Sequence, residues 1–350
     1  MKQYVRSDIV TMKGYVSGEQ PQGNEAVKLN TNENPYRASE KVYEAIRRTA
    51  EQGLARYPDP LGNAVRREVA RLFGVNPASV LCGNGSDDLL TILARTFVGS
   101  GERLRMAYPS YILYASLAEI QGAVYENVSF NADWTLPTAF ADHKDDLRLV
   151  FLPNPNSPSG TVISKARILE LAERLPCPLV VDEAYADFAE EHCVDLVEQC
   201  DKIIVCRTLS KSYALAGLRF GFLVAAPPLV EQMLKVKDSY NCDALSIAAA
   251  AAALSDQDWL EENRRKILTT RAKLQERMRT LGFDVPHSSA NFTWNTRSDR
   301  PVQPIYTFLK ERGFLVRYMN YPGWGDGLRI SVGTDEQTDR CIDLIADFLQ

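Results

Sequence analysis

The middle of the chain alternates short apolar runs with amphipathic stretches, and this alternation most constrains the fold. Apolar runs fall at 149–152, 179–181, 203–206 and 220–226, and helical patterns at 39–52, 63–73, 87–98, 111–121, 164–175 and 228–236. A run with no polar alternation suits a strand buried on both faces. Such strands interleaved with helices predict a mostly parallel sheet covered by helices on both sides. After about residue 240 the pattern changes. An alanine-rich helix (247–254) leads into a long charged one (256–281), stopped by Gly282 in the C-cap position. Alternating segments at 291–294 and 328–332 and a last amphipathic helix at 335–349 predict a smaller α+β unit. The fold class expected is therefore α/β, a large mostly parallel domain plus a smaller α+β domain, and 350 residues are enough for two.

Composition excludes several classes of function. Lys and Arg number 40 against 45 Asp and Glu, so the net charge is −5, and no basic block offers a nucleic-acid or anionic-membrane surface. The most apolar stretch, 244–254, spans 11 residues, short of the roughly 18 a membrane helix needs. The first residues carry no apolar segment of a secretion signal. Seven cysteines, an odd number with no C-x-x-C pair, suit a reducing cytoplasm rather than a disulfide scaffold. His143, His192 and His287 are scattered and form no metal-ligand pattern, so no metal is expected.

Three segments could carry chemistry. Gly83-Asn84-Gly85-Ser86-Asp87-Asp88 joins an apolar run to a helix. It reads either as a turn capped by Ser86 or Asp87, or as an anion cradle at a helix N-terminus. It matches neither a dinucleotide fingerprint nor a P-loop. Asp182 ends the apolar run 179–181, on the side where open α/β sheets bind ligands, and an acid there can pair with a ring nitrogen or a metal or remain solvated. Lys211 follows the run 203–206 among small and apolar residues, where a lysine can be desolvated and nucleophilic, or simply exposed. Arg219 lies in an apolar context where a buried guanidinium would need an anion. Together they are the set pyridoxal phosphate requires: a Schiff-base lysine, an acid for the pyridine nitrogen and ligands for a phosphate.

Here the chain resembles the fold-type I pyridoxal-phosphate aminotransferases, and among them the histidinol-phosphate branch. The landmarks, in order, are Leu29-Asn30-Thr31-Asn32-Glu33-Asn34-Pro35, Arg56-Tyr57-Pro58, Gly83-Asn84-Gly85-Ser86-Asp87, Tyr108-Pro109-Ser110-Tyr111, Pro153-Asn154-Pro155-Asn156-Ser157-Pro158-Ser159-Gly160, Asp182-Glu183-Ala184-Tyr185, Thr208-Leu209-Ser210-Lys211 and Leu328-Arg329-Ile330-Ser331-Val332-Gly333. The resemblance implies a division into an N-terminal arm (1–29) packing with the small domain, a cofactor-binding domain (30–240) and a small domain (241–350). It implies that Lys211 carries the cofactor, that Asp182 keeps the pyridine nitrogen protonated and that Tyr185 donates to the ring oxygen. Tyr111 would stack on the ring; Gly85, Ser86, Asp87, Ser210 and Arg219 would hold the phosphate. Tyr57 would reach that phosphate from a neighbouring subunit, making the protein a homodimer. Arg329 would bind the α-carboxylate of glutamate, with Arg317, Tyr15 and Asn32 as further substrate contacts. The family commonly has Asn immediately before the proline of its Asn-Pro-Thr-Gly element; here Ser157 stands there and Asn156 precedes it, so either could approach the ring oxygen.

The activity this implies is transfer of an amino group between glutamate and imidazole-acetol phosphate, in the cytoplasm. Related alternatives are an aromatic aminotransferase, which would differ only in the substrate pocket, and a threonine-phosphate decarboxylase. A cofactor-binding regulatory domain would need a DNA-binding segment that the chain lacks and would not need Lys211 and Asp182 intact.

Overall fold

In the computed structural model, which describes residues 4–14, 18–21 and 26–350, the apolar runs become the centre of one sheet. The elements are, in order, α1 (Ser7–Thr11), β1 (Val27–Leu29), α2 (Glu40–Glu51), α3 (Asn63–Phe73), β2 (Val80–Gly83), α4 (Ser86–Phe97), β3 (Arg103–Tyr108), α5 (Leu113–Gln121), β4 (Val124–Ser129) and β5 (Leu147–Pro153). There follow α6 (Lys165–Arg174), β6 (Leu179–Asp182), β7 (Ile203–Thr208), β8 (Gly221–Val224), α7 (Pro227–Leu234), α8 (Ala244–Leu254) and α9 (Gln257–Thr280). The chain ends with β9 (Phe292–Asn295), α10 (Gln303–Glu311), β10 (Phe314–Tyr321), β11 (Gly325–Ser331) and α11 (Asp335–Leu349).

Seven strands form a sheet in the order β2-β8-β7-β6-β5-β3-β4. All neighbours are parallel except β8, which runs antiparallel to both β2 and β7. Every residue of β6, β7 and β8 is buried, as expected for strands covered on both faces. The alternate side chains divide between two cores. Val181, Val205 and Phe222 face one, and Val180, Ile204 and Leu223 the other. Parallel pairing brings the C-terminal ends of β5, β6 and β7 to one edge, where Asp182 lies beside Cys206.

A second sheet, β1-β10-β11-β9, has its own core with α9, α10 and α11. The strand β1 pairs parallel with β10, so residues 27–29 belong to this layer, whereas Arg6 beside α1 reaches the Ile120 carbonyl of α5. Helix α8 follows residue 240, yet its small residues Ala249, Ala250 and Ala253 lie in the core of the seven-stranded layer. Alanine there lets α8 lie close against α2 and α3. The C-cap of α9 is Leu281, and Gly282, expected in that position, follows it at φ +82, a left-handed conformation that favours glycine.

Candidate active site

One cavity of about 460 Å³ opens where the two layers meet, at the C-terminal ends of β5–β7. Its walls bring together Ser86, Asp87, Tyr111, Asp182, Tyr185, Ser210, Lys211, Arg219, Asn32, Arg317 and Arg329. These come from eight segments spread over about 300 residues, so the fold, not local sequence, assembles the site.

At one end the first turn of α4 leaves its backbone N–H groups without intrahelical partners. The N-cap is Gly85, with φ +80, and neither Ser86 nor Asp87 caps the helix as the sequence suggested. A Cβ on Gly85 would lie 2.5 Å from Arg219 Nη2, so this glycine is what lets the arginine approach the helix end. Arg219 is not buried as its apolar context suggested. Its side chain is 44% exposed, lies at φ +51 and pairs with Asp87 at 3.3 Å, and its Nη1 donates to Ser210 Oγ at 3.2 Å. The chain turns at Arg219 to enter β8, and that turn swings the guanidinium out of the apolar run and over the cavity. Donors at the helix end, a hydroxyl and a guanidinium thus converge on a space fit for a phosphate.

At the other end Asp182 is buried, and removal from water pushes its carboxyl up to about 6. Pulling the other way, Tyr114 Oη donates to it at 2.7 Å and the Ala184 N–H at 3.1 Å. Tyr114 was missed in the sequence; it lies in the first turn of α5, three residues after Tyr111, which precedes the helix. The Tyr114 ring stacks on Phe151 and meets Tyr111 edge-on. Between the two ends, Lys211 Nζ donates to the Thr31 carbonyl at 2.9 Å. Desolvation, and next the positive charge of Arg329, push this lysine down to about 8. Asn32 Nδ2 donates to Tyr185 Oη at 2.9 Å, which leaves that hydroxyl's own proton to be directed elsewhere.

The third wall is cationic. Arg317 and Arg329 stand opposite one another in the β10–β11 register. Arg329, 9% exposed, donates to Ser157 Oγ and to the Asn30 carbonyl, each at 3.0 Å, and its Nε is buried without a partner. Of the two residues expected near the ring oxygen, Ser157 lines the cavity. The Asn156 amide nitrogen is committed to Ser159 Oγ, and its Oδ1 is buried without a partner. Tyr57 is elsewhere. It is 80% exposed, stacks on Tyr240 and lines a separate shallow depression with Leu54 and Leu245. Tyr15 lies outside the described residues.

The residues present fit pyridoxal phosphate. There is a lysine with lowered pKa, a buried acid one strand away, a hydroxyl beside it, a tyrosine ring for a stacking face and a phosphate cradle, all in one space. The family model for "Aminotransferase class I and II" matches residues 24–345. The chain belongs to that family. Among the relatives of this aminotransferase, a histidinol-phosphate aminotransferase of Rhodopirellula baltica is 55% identical, covering 99% of this chain and 96% of its own. One of Geotalea uraniireducens is 44% identical, covering 98% and 99%. Of solved structures, the histidinol-phosphate aminotransferase of Sinorhizobium meliloti in complex with pyridoxal-5'-phosphate superposes with a TM-score of 0.84 at 26% identity, covering 92% of each chain. No helix of the described residues is long and apolar enough to cross a membrane.

Proposed function

We propose that this aminotransferase uses pyridoxal phosphate to move the amino group of glutamate onto imidazole-acetol phosphate, giving 2-oxoglutarate and histidinol phosphate, and the reverse. The observation that carries the substrate assignment is the pair of facing arginines. Their opposed register sets two guanidiniums on one cavity wall, where both can bond a single substrate anion. Both substrates supply one, a carboxylate from glutamate or a phosphate from histidinol phosphate. The relatives named above support the same choice.

When bound, the cofactor supplies an electron sink for the bond broken at the substrate Cα. This chain's residues do the rest. Lys211 Nζ takes the Cα proton and returns it, and its lowered pKa leaves more of it as free base near neutral pH. Asp182 would hold a proton on the ring nitrogen, Tyr185 would donate to the ring oxygen, and Tyr111 and Ser157 would bound the ring. The α4 N-terminus, Ser210 and Arg219 would hold the cofactor phosphate. Arg329 takes the α-carboxylate of glutamate, and Arg317, with Arg329, the phosphate of histidinol phosphate. Residues 30–240 would act as the cofactor-binding domain and 241–350 as the smaller one, in a cytoplasmic homodimer with Tyr57 lent to the partner's site.

Substitution separates the two arginines. A charge-assisted hydrogen bond contributes about 1.5–3 kcal/mol, and ~1.4 kcal/mol is tenfold. Arg329→Leu is expected to cut kcat/KM for glutamate by roughly ten- to a hundredfold. Arg317→Leu is expected to hurt histidinol phosphate more than phenylalanine. Equal losses would remove Arg317 as a phosphate reader and favour an aromatic aminotransferase.

A further inference from the structure

Behind the cavity wall that carries Lys211 and Tyr185 lies an ionic cluster that the chemistry above does not use. Its members, Glu183, Asp187, Arg207 and Ser212, do not line the cavity. Arg207, in β7, is buried with its guanidinium over the face of Phe73. Its Nη1 donates to Glu183 Oε2 at 3.1 Å and its Nη2 to the Asp187 carboxylate. The second Asp187 oxygen accepts from Ser212 Oγ. Ser212 directly follows Lys211 and is held from its other side, its carbonyl accepting from Asn34 Nδ2 at 2.9 Å. Asp187 itself stands two residues after Tyr185, in a single 3-10 turn (Ala186–Phe188).

The backbone of the same turn is gripped from the other layer. Arg264 of α9 donates through Nε to the Asp187 carbonyl at 2.7 Å and through Nη2 to the Ala189 carbonyl at 3.0 Å. Arg271, two turns further along α9, donates to the Phe188 carbonyl at 3.2 Å and to the Ala290 carbonyl at 2.8 Å. Phe188 is buried in the core of the four-stranded layer. Three consecutive carbonyls are therefore fixed to α9, while the Asp187 side chain is fixed to the strand and loop that present Lys211.

Buried ion clusters contribute little net stability, because desolvation cancels most of the attraction. A hydrophobic turn would serve packing at least as well. What the cluster supplies is geometry: directional contacts that transmit a displacement. We propose that Asp187 is a positioning residue that couples the placement of α9 to the placement of Lys211 and Tyr185. When a substrate anion draws Arg317 and Arg329 inward, the four-stranded layer moves with α9, and the Asp187 tie carries that movement to the lysine and the tyrosine. The proposal rests on Lys211 being the cofactor lysine.

The test follows the visible band of the Lys211-linked cofactor in the holoenzyme as pH is varied, together with thermal unfolding. Tyr185 donates to the ring oxygen and so favours the deprotonated link; loosening it raises the midpoint. Asp187→Asn and Arg264→Met, neither of which alters a cavity residue, are expected to raise the midpoint by about one pH unit, a tenfold change. Both are also expected to lower kcat more than they raise KM for glutamate. Asp187→Glu should recover part of the shift. Ser212→Ala keeps the Asp187–Arg207 pair and so serves if Asp187→Asn fails to fold; it is expected to shift the midpoint in the same direction. A lower unfolding temperature with an unmoved midpoint in Arg264→Met and in either cluster variant would make the cluster merely structural and overturn the proposal. A parent protein with no pH-sensitive band would instead sink the cofactor assignment, and this proposal with it.

Discussion

Asp182 is buried in the cavity wall with only 4% of its surface exposed, and without a partner for its charge that position is costly. Its carboxyl is pushed from 3.8 to about 6. A carboxyl raised in the folded state gives its full contribution to stability below the unfolded pKa, and that contribution is lost as pH rises through the folded value. At one pKa unit per 1.36 kcal/mol, the deficit above pH 6 is roughly 3 kcal/mol. Apoprotein carrying Asp182→Asn is therefore expected to be more stable than the parent at pH 8, by up to that amount, and no more stable below pH 4. Denaturant unfolding at the two pH values measures it. The same substitution should weaken pyridoxal phosphate binding, because the amide cannot hold the ring-nitrogen proton as a carboxylate does. Equal stability at pH 8 would show that the acid is better solvated than its burial indicates. Asp182 and Lys211 were legible as residues because a charge after an apolar strand is rare enough to need a reason. Tyr114 was not, because its partner is 68 positions away and nothing local marks the pairing.

Helix α4 and the turn before it show how far an element can be read. The order strand, glycine turn, helix was plain in the sequence, but a capped turn and an anion cradle were equally open to it. The cap was misassigned because Ser and Asp are the usual N-caps, whereas here Gly85 takes the position with φ +80. Its reason is tertiary: Arg219, brought in from another strand, occupies the space a side chain would need. Arg219 was misread on the same account, since the turn that swings it outward cannot be seen in its apolar neighbours. Gly85→Ala should combine strained backbone with a displaced guanidinium, at a cost of about 1–3 kcal/mol. The expected outcome is a lower unfolding temperature and a cofactor dissociation constant raised by roughly tenfold or more, measured by fluorescence titration. An alanine variant that binds pyridoxal phosphate as the parent does would remove Arg219 from the cradle.

Across the whole molecule, the two-layer architecture was legible because strand burial and helix periodicity are local signals. Packing between elements was not. Nothing in the alanine run of α8 says that it docks on α2 and α3, and the pairing of β1 with β10 joins residues nearly 290 positions apart. Assembly lies further still from local signals. Tyr57, Leu54 and Tyr240 are exposed apolar residues away from the cavity, and Tyr57 stacks on Tyr240. Mixing Lys211→Ala subunits with Tyr57→Phe subunits, each impaired alone, should restore roughly one good site per mixed dimer; no recovery after proven exchange would place Tyr57 in its own subunit's service. The proposed function makes the facing arginines readers of phosphorylated substrate. Its most direct measurement is kcat/KM of the purified holoenzyme, with 2-oxoglutarate as acceptor, for histidinol phosphate against histidinol, which differs only in lacking the phosphate. Two to three charge-assisted contacts predict a preference of a hundredfold or more for the phosphorylated substrate; equal values for the two would contradict the assignment.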